Sequence, residues 1–276
     1  MGIDLARREL PPPRAFERGF RRTARPALFR LDAPELLERW SPEALSLRYG
    51  TLPIWVQRSE SLTGDEHGII EETYAPTTME AFVAELREDQ AHAGYLSQYR
   101  LFEQVPELSD GLVLRRYSGC AHRTNFWMGP PGTTSKLHYD LDENLFWQVH
   151  GRKRVYLAPP EAYPDLYATN RSWGDGYSPV DPASPDLDRH PRAAHVDWYD
   201  LVLEPGDLLY LPPRWWHDVR ALDVSVSISH IWWPPRLLAS TQLTRAQEWV
   251  RARITGQPAM RYGPPVEGRT WRWPTI

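Results

Sequence analysis

From about residue 112 the chain is written as short apolar runs separated by turn residues, and that rhythm points to a β-rich fold. The runs are Leu112–Tyr117, Arg123–Met128, Leu137–Asp140, Leu145–Val149, Arg152–Leu157, Asp200–Leu203, Asp207–Leu211 and Val224–Ile231. His150-Gly151 and Pro205-Gly206-Asp207 supply turn chemistry between them. Many short strands joined in this way indicate a sandwich or barrel. The 27 prolines and 13 tryptophans agree, favouring loops, turns and aromatic-lined surfaces over long helices.

The flanks read differently. Residues 1–25 are Arg-rich and interrupted by proline, as in an extended arm. A strand is expected at Ala27–Phe29, a helix over Pro34–Tyr49 and a strand at Leu52–Val56. A helix is also expected over Met79–Glu88, where Met79, Phe82, Val83 and Leu86 share one face. Residues 159–195 are rich in Pro, Asp, Ser and Gly and have no period, which suggests a functional lid, able to form a groove, or a disordered segment. Leu243, Ala246, Trp249, Val250 and Ile254 form a helical stripe that can pack on the barrel or on a second copy, as in a homodimer. The expected organisation is therefore an N-terminal arm and mixed extension over 1–110, a β core over 111–235, and a C-terminal helix and tail over 236–276.

Bulk properties remove several function classes. The formal charge of −4 argues against a general nucleic-acid binder. Cys120 is the only cysteine, so there is neither an internal disulfide nor a cysteine-rich zinc site. No apolar run approaches the roughly 20 residues that span a bilayer, and the start MGIDLARREL has no signal-peptide hydrophobic region. These features lead to the expectation of a cytoplasmic protein without a membrane partner.

The chemistry starts at Lys136-Leu-His-Tyr-Asp140. On a strand, residues two apart point the same way, so His138 and Asp140 can grip one ion together. A third ligand is available at His217, which follows a turn, a strand and the Pro212-Pro213 pair. Two histidines and a carboxylate form the facial triad of non-haem Fe(II) oxygenases. His-x-Asp alone is a weak signal, and the other histidines (His67, His92, His122, His150, His190, His195) read as ordinary structural ones.

Longer segments carry more. Phe126-Trp-Met-Gly-Pro-Pro-Gly-Thr-Thr-Ser-Lys-Leu-His-Tyr-Asp140, and then Asn144-Leu-Phe-Trp-Gln-Val-His-Gly-Arg-Lys153-Arg-Val-Tyr-Leu-Ala-Pro-Pro160, resemble the core of Jumonji-C (JmjC) hydroxylases. Pro205–Pro212, Trp216-His217 and Val224–Trp233 resemble the family's second half. Gly94–Phe102 and Val105–Leu108 are similar to the small JmjC-only protein hydroxylases. The resemblance runs from roughly Arg25 to Trp233. It implies a mainly β fold, a double-stranded β-helix (cupin or jelly-roll) core with an N-terminal α/β extension and a C-terminal helix. It further implies a dioxygenase using Fe(II), 2-oxoglutarate and O2, with His138, Asp140 and His217 on the metal. Lys153 falls where the family's basic residue pairs with the distal carboxylate of 2-oxoglutarate. Ser135 and Tyr95 match groups that help hold that carboxylate, Asn144 matches an amide near the metal-bound end, and Trp127 matches an aromatic at the substrate mouth.

Two positions depart from the pattern. His230 stands near the end of the last core strand, where many relatives carry an amide or an apolar residue, and either touches the co-substrate or fills space. Trp55 stands where JmjC arginyl hydroxylases carry an acid. A desolvated guanidinium needs an anion, so a peptide or protein residue other than arginine is the expected substrate. The alternatives are a small-molecule natural product, a tRNA base approached through Arg21, Arg22, Arg25, Arg245, Arg251 and Arg253, and a non-catalytic cupin-like binding protein. Hydroxylation and demethylation are not distinguished, since the second begins with the first.

Overall fold

In the computed structural model, which describes residues 5–31, 33–58, 73–118, 122–170 and 176–233, successive core strands are dealt alternately to two facing sheets. The N-terminal part supplies β1 (Arg8–Glu9), β2 (Ala27–Arg30), β3 (Pro53–Arg58), β4 (Thr73–Thr78) and β5 (Leu96–Tyr99). The core supplies β6 (His122–Gly129), β7 (Thr134–Tyr139), β8 (Glu143–His150) and β9 (Lys153–Ala158). The short β10 (Thr169–Asn170) and β11 (Gly176–Tyr177) lie in the long loop. They are followed by β12 (Tyr199–Leu203), β13 (Asp207–Leu211), β14 (Trp216–Ala221) and β15 (Ser225–Trp232).

The larger sheet has the order β1-β2-β13-β8-β15-β6-β5, and the smaller has β10-β11-β7-β14-β9-β12. The core strands pair antiparallel with their neighbours, as a double-stranded β-helix requires. Three strands of the extension, β1, β2 and β5, add to the larger sheet, so the extension is continuous with the core through backbone pairing.

Period-two alternation sorts the side chains. Phe146, Val155, Leu157, Leu209, Leu211 and Val219 point between the sheets. Leu145, Trp147, Leu208, Tyr210, Val226 and Ile228 point out of the larger sheet and pack under the extension. Both faces of the larger sheet are thus covered, and β8 and β15 are buried along nearly their whole length. Burying each large apolar side chain contributes about 1.5–3 kcal/mol.

Local expectations are met in part. The helix α4 (Met79–Glu88) has Met79, Phe82, Val83 and Leu86 buried and is capped by the Thr78 side chain. Residues Pro34–Tyr49 form two helices, α2 (Pro34–Glu38) and α3 (Pro42–Tyr49), because Pro42 cannot continue the first and starts the second after the Ser41 cap. The supposed arm is helical over α1 (Pro13–Phe16) and a π-turn at Glu17–Arg21. Its Phe16 is buried against Phe29, Tyr117 and Tyr210, which anchors a turn that composition suggested was extended. Leu112–Tyr117 contains a 3-10 turn at Val113–Arg116 in place of a strand. The described parts of this loop, 159–170 and 176–195, are pinned down: Leu166, Val180 and Ala193 are buried against Leu137, Tyr139 and Trp216. The stripe Leu243–Ile254 and Cys120 lie outside the described residues.

Candidate metal and co-substrate site

His138 and His217 face each other directly across the β7–β14 pair. Their rings are 4.1 Å apart, and the ligand atoms of His138, Asp140 and His217 lie within 4.8 Å of one another. His138 Nε2 is 4.0 Å from Asp140 Oδ1, and His217 Nε2 is 3.7 Å from Asp140 Oδ2. Both imidazoles donate from Nδ1 to a backbone carbonyl, His138 to Lys136 at 2.6 Å and His217 to Trp215 at 2.9 Å. A carbonyl can only accept, so each ring keeps its proton on Nδ1 and turns the Nε2 lone pair towards Asp140, as a metal ligand requires. Burial, reinforced by the neighbouring His138, lowers the His217 pKa to about 4 and keeps its ring neutral.

Asp140 lies just beyond the end of β7, and its carbonyl accepts from the Arg214 backbone N–H at 2.7 Å. Arg214 adopts a left-handed φ of 67° after the double proline, a strained conformation held at the site. This turn ties the two halves of the constellation together.

A bulge brings in Ser135. Val219 pairs with Ser135 and His217 with His138, so two steps on β14 match three on β7. The extra residue lets Ser135 and His138 face the same interior although they are an odd number apart. Ser135 hydrogen-bonds with the hydroxyl of buried Tyr95, and burial pushes that phenol's pKa upward. Gly129 permits the approach, because a Cβ there would meet the Tyr95 ring at 2.5 Å.

Lys153 begins β9 and is only 3% exposed. Its Nζ lies 5.5 Å from the Phe146 ring centroid and 6.0 Å from that of Trp127, and no carboxylate among the described residues pairs with it. Burial lowers its pKa to about 7. An isolated buried ammonium is unfavourable unless an anion completes it. Asn144 also faces the interior, its Oδ1 accepting from Ser229 Oγ at 3.0 Å.

His230 is placed otherwise than a co-substrate contact requires. On β15 it shares its face with Val226, Ile228 and Trp232, under the extension, and its Nδ1 meets Thr124 Oγ1 at 2.9 Å. Trp55 is half-buried against the same outer cluster, whereas Trp127 packs 6.1 Å from Tyr95. Tyr177, in the aperiodic loop, stacks on His138 at 5.3 Å and 15°. No sequence signal marked it, because only the β11–β7 pairing carries it there.

Comparisons agree with this geometry. A family model described as a cupin-like domain matches residues 13–237. Lysine-specific demethylase 8 of Xenopus tropicalis is 32% identical over 204 residues, covering 71% of this chain and 45% of that protein. Jumonji C domain-containing protein 5 of Drosophila melanogaster is 38% identical over 146 residues, 50% of this chain and 36% of that one. The tRNA wybutosine-synthesizing protein 5 of Danio rerio is 40% identical over 134 residues, 48% and 40% respectively. The chain spans less than half the length of these curated relatives. With the matched family covering the core strands and the triad alike, the chain belongs to the cupin-like domain family, among its JmjC members.

Proposed function

We propose that the protein is an Fe(II)- and 2-oxoglutarate-dependent hydroxylase acting on a C–H bond of a peptide or protein residue. The observation that carries this reading is a His-Asp-His cluster with both Nε2 lone pairs turned inward, in the same interior as a buried, carboxylate-free lysine. His138, Asp140 and His217 would hold the iron. When bound, Fe(II) supplies oxygen activation coupled to the oxidative decarboxylation of 2-oxoglutarate to succinate and CO2.

The remaining residues position and shield. Lys153 pairs with the distal carboxylate, assisted by Ser135 and Tyr95, and Asn144 contributes an amide nearer the metal-bound end. Trp127 and Phe146 keep water from the ammonium, which strengthens its attraction for the co-substrate. Tyr177 holds the plane of His138 by stacking. A non-catalytic binding role is disfavoured because it would not need a complete triad together with an unpaired buried cation.

A peptide substrate is preferred to a tRNA base because Arg21 is engaged with Glu143 at 2.6 Å and also with Glu17, and Arg22 with Glu17 at 3.7 Å. Arg21 is thus committed within the fold, while Arg22 and Arg25 are exposed. Arg245, Arg251 and Arg253 lie outside the described residues. Among the described residues no helix is long and apolar enough to cross a membrane.

The test is anaerobic titration of purified protein with Fe(II), followed by 2-oxoglutarate turnover under O2. About one Fe(II) per chain is expected, and the double variant His138→Ala/Asp140→Ala should lose both binding and succinate formation. Stoichiometric iron in that variant would refute the assignment.

A further inference from the structure

We propose that Tyr177 is a modification site of the protein itself: with Fe(II), 2-oxoglutarate and O2 bound and no substrate present, its ring is hydroxylated to a catechol. The proposal rests on the hydroxylase reading and extends it to the chain's own residues.

Backbone pairing carries Tyr177 to the site. In the β11–β7 pair it stands directly opposite His138, and side chains of directly opposed residues project to the same side of a sheet. The phenol therefore shares the face of the triad, and its ring lies 5.3 Å from the His138 ring with 15° between the planes. The stacked partner is itself a metal ligand, with its Nε2 lone pair turned towards Asp140.

The ring is held there from both sides. Gly176 before it lies against Tyr139, where a Cβ would meet the ring at 2.3 Å. Ser178 after it is buried, donating from its backbone N–H to the Leu137 carbonyl at 2.9 Å and from Oγ to the Leu166 carbonyl at 2.6 Å. Other aromatic side chains are turned elsewhere. Tyr139 and Trp216 pack together on the outer face of the smaller sheet. Trp127 and Phe146 flank Lys153, at the end of the pocket given to the distal carboxylate. An oxidant made for an unactivated C–H bond is kept from side reactions by a bound substrate. Without one, the electron-rich phenol stacked on a ligand is the group it meets.

The step balances without a further reagent. Conversion of 2-oxoglutarate to succinate and CO2 gives up two electrons, and replacing an aromatic C–H by C–OH gives up two more, which together reduce one O2. One oxygen atom enters succinate. The other enters the ring at the carbon beside the phenol hydroxyl, and the displaced hydrogen is retained on the new hydroxyl.

The test incubates full-length protein with Fe(II), 2-oxoglutarate and O2 labelled with heavy oxygen, without peptide, and maps the label by mass spectrometry of proteolytic fragments. Up to one labelled oxygen atom per chain should appear on Tyr177, with none when 2-oxoglutarate is left out and none in His138→Ala. Fluorotyrosine-labelled protein gives a reading independent of turnover: the fluorine resonance missing from Tyr177→Phe should broaden when Mn(II) is added. Three results would overturn the proposal and leave the hydroxylase reading intact: no label on Tyr177 although Fe(II) and 2-oxoglutarate both bind, label on Trp127 or Phe146 in its place, or a Tyr177 resonance that stays sharp with Mn(II) bound. Equal labelling without 2-oxoglutarate would reveal stray oxidation and overturn it too. Failure of the wild-type protein to bind Fe(II) or 2-oxoglutarate would overturn the broader reading as well.

Discussion

Replacing Lys153 by methionine should make the protein without co-substrate more stable while weakening 2-oxoglutarate binding. The Lys153 pKa falls from 10.5 to about 7 because burial penalises the ammonium. At 1.36 kcal/mol per unit, the charged side chain opposes folding by up to about 5 kcal/mol. The sign follows from proton binding. Below pH 7 both folded and unfolded chains carry the proton and the full penalty applies. Between pH 7 and 10.5 the unfolded chain holds the proton and the folded one releases it, so stability rises with pH, and above 10.5 the penalty is gone. Methionine fills similar volume without charge, and such replacements stabilise by about 1–4 kcal/mol. At roughly 2–4 °C per kcal/mol for a chain of this size, a rise of several degrees in Tm is expected near pH 6, shrinking towards pH 10. Binding should move the other way, because losing a charge-assisted pair of about 1.5–3 kcal/mol weakens 2-oxoglutarate about 10- to 150-fold. Differential scanning calorimetry across pH, with and without 2-oxoglutarate, measures both effects. A Lys153→Met protein that melts lower at pH 6 and binds 2-oxoglutarate as tightly as wild type would refute the reasoning.

Two further predictions concern the walls of the site. Arginine-containing peptides should be poor substrates, since cation–π contact with Trp127 at about 0.5–2 kcal/mol is a weak replacement for a buried ion pair; efficient arginine hydroxylation by the unaltered protein would show this to be wrong. Gly129→Ala places a methyl 2.5 Å from the Tyr95 ring, a clash that should loosen the Tyr95–Ser135 contact and destabilise by about 1–3 kcal/mol, visible as a lower urea midpoint and a weaker 2-oxoglutarate affinity; an unchanged midpoint would argue that the ring is free to move.

Much of the architecture was legible in the residues themselves. Short apolar runs at 145–149, 207–211 and 224–231, set off by turn residues, marked strands, because a strand buried on both faces carries apolar groups along most of its length. His138 and Asp140 were readable as a pair from their spacing, and Lys153 stood out from its resemblance. The strand Trp216–Ala221, which carries His217, was not identified. Its buried Asp218 and half-buried Arg220 pair with each other, and Arg220 with Asp181, and this polarity disguises a strand that is otherwise apolar and buried.

What the sequence determined by itself was the set of faces and the ligand types, since those depend on local periodicity and on the chemistry of single side chains. The tertiary structure alone decided the rest. The bulge between β7 and β14 put Ser135 inside, β15 turned His230 outward, and β11 laid Tyr177 on His138. Each outcome depends on the register between strands distant in the chain. A shift of one residue exchanges the two faces of a strand, and residue spacing within either strand carries no information about that register.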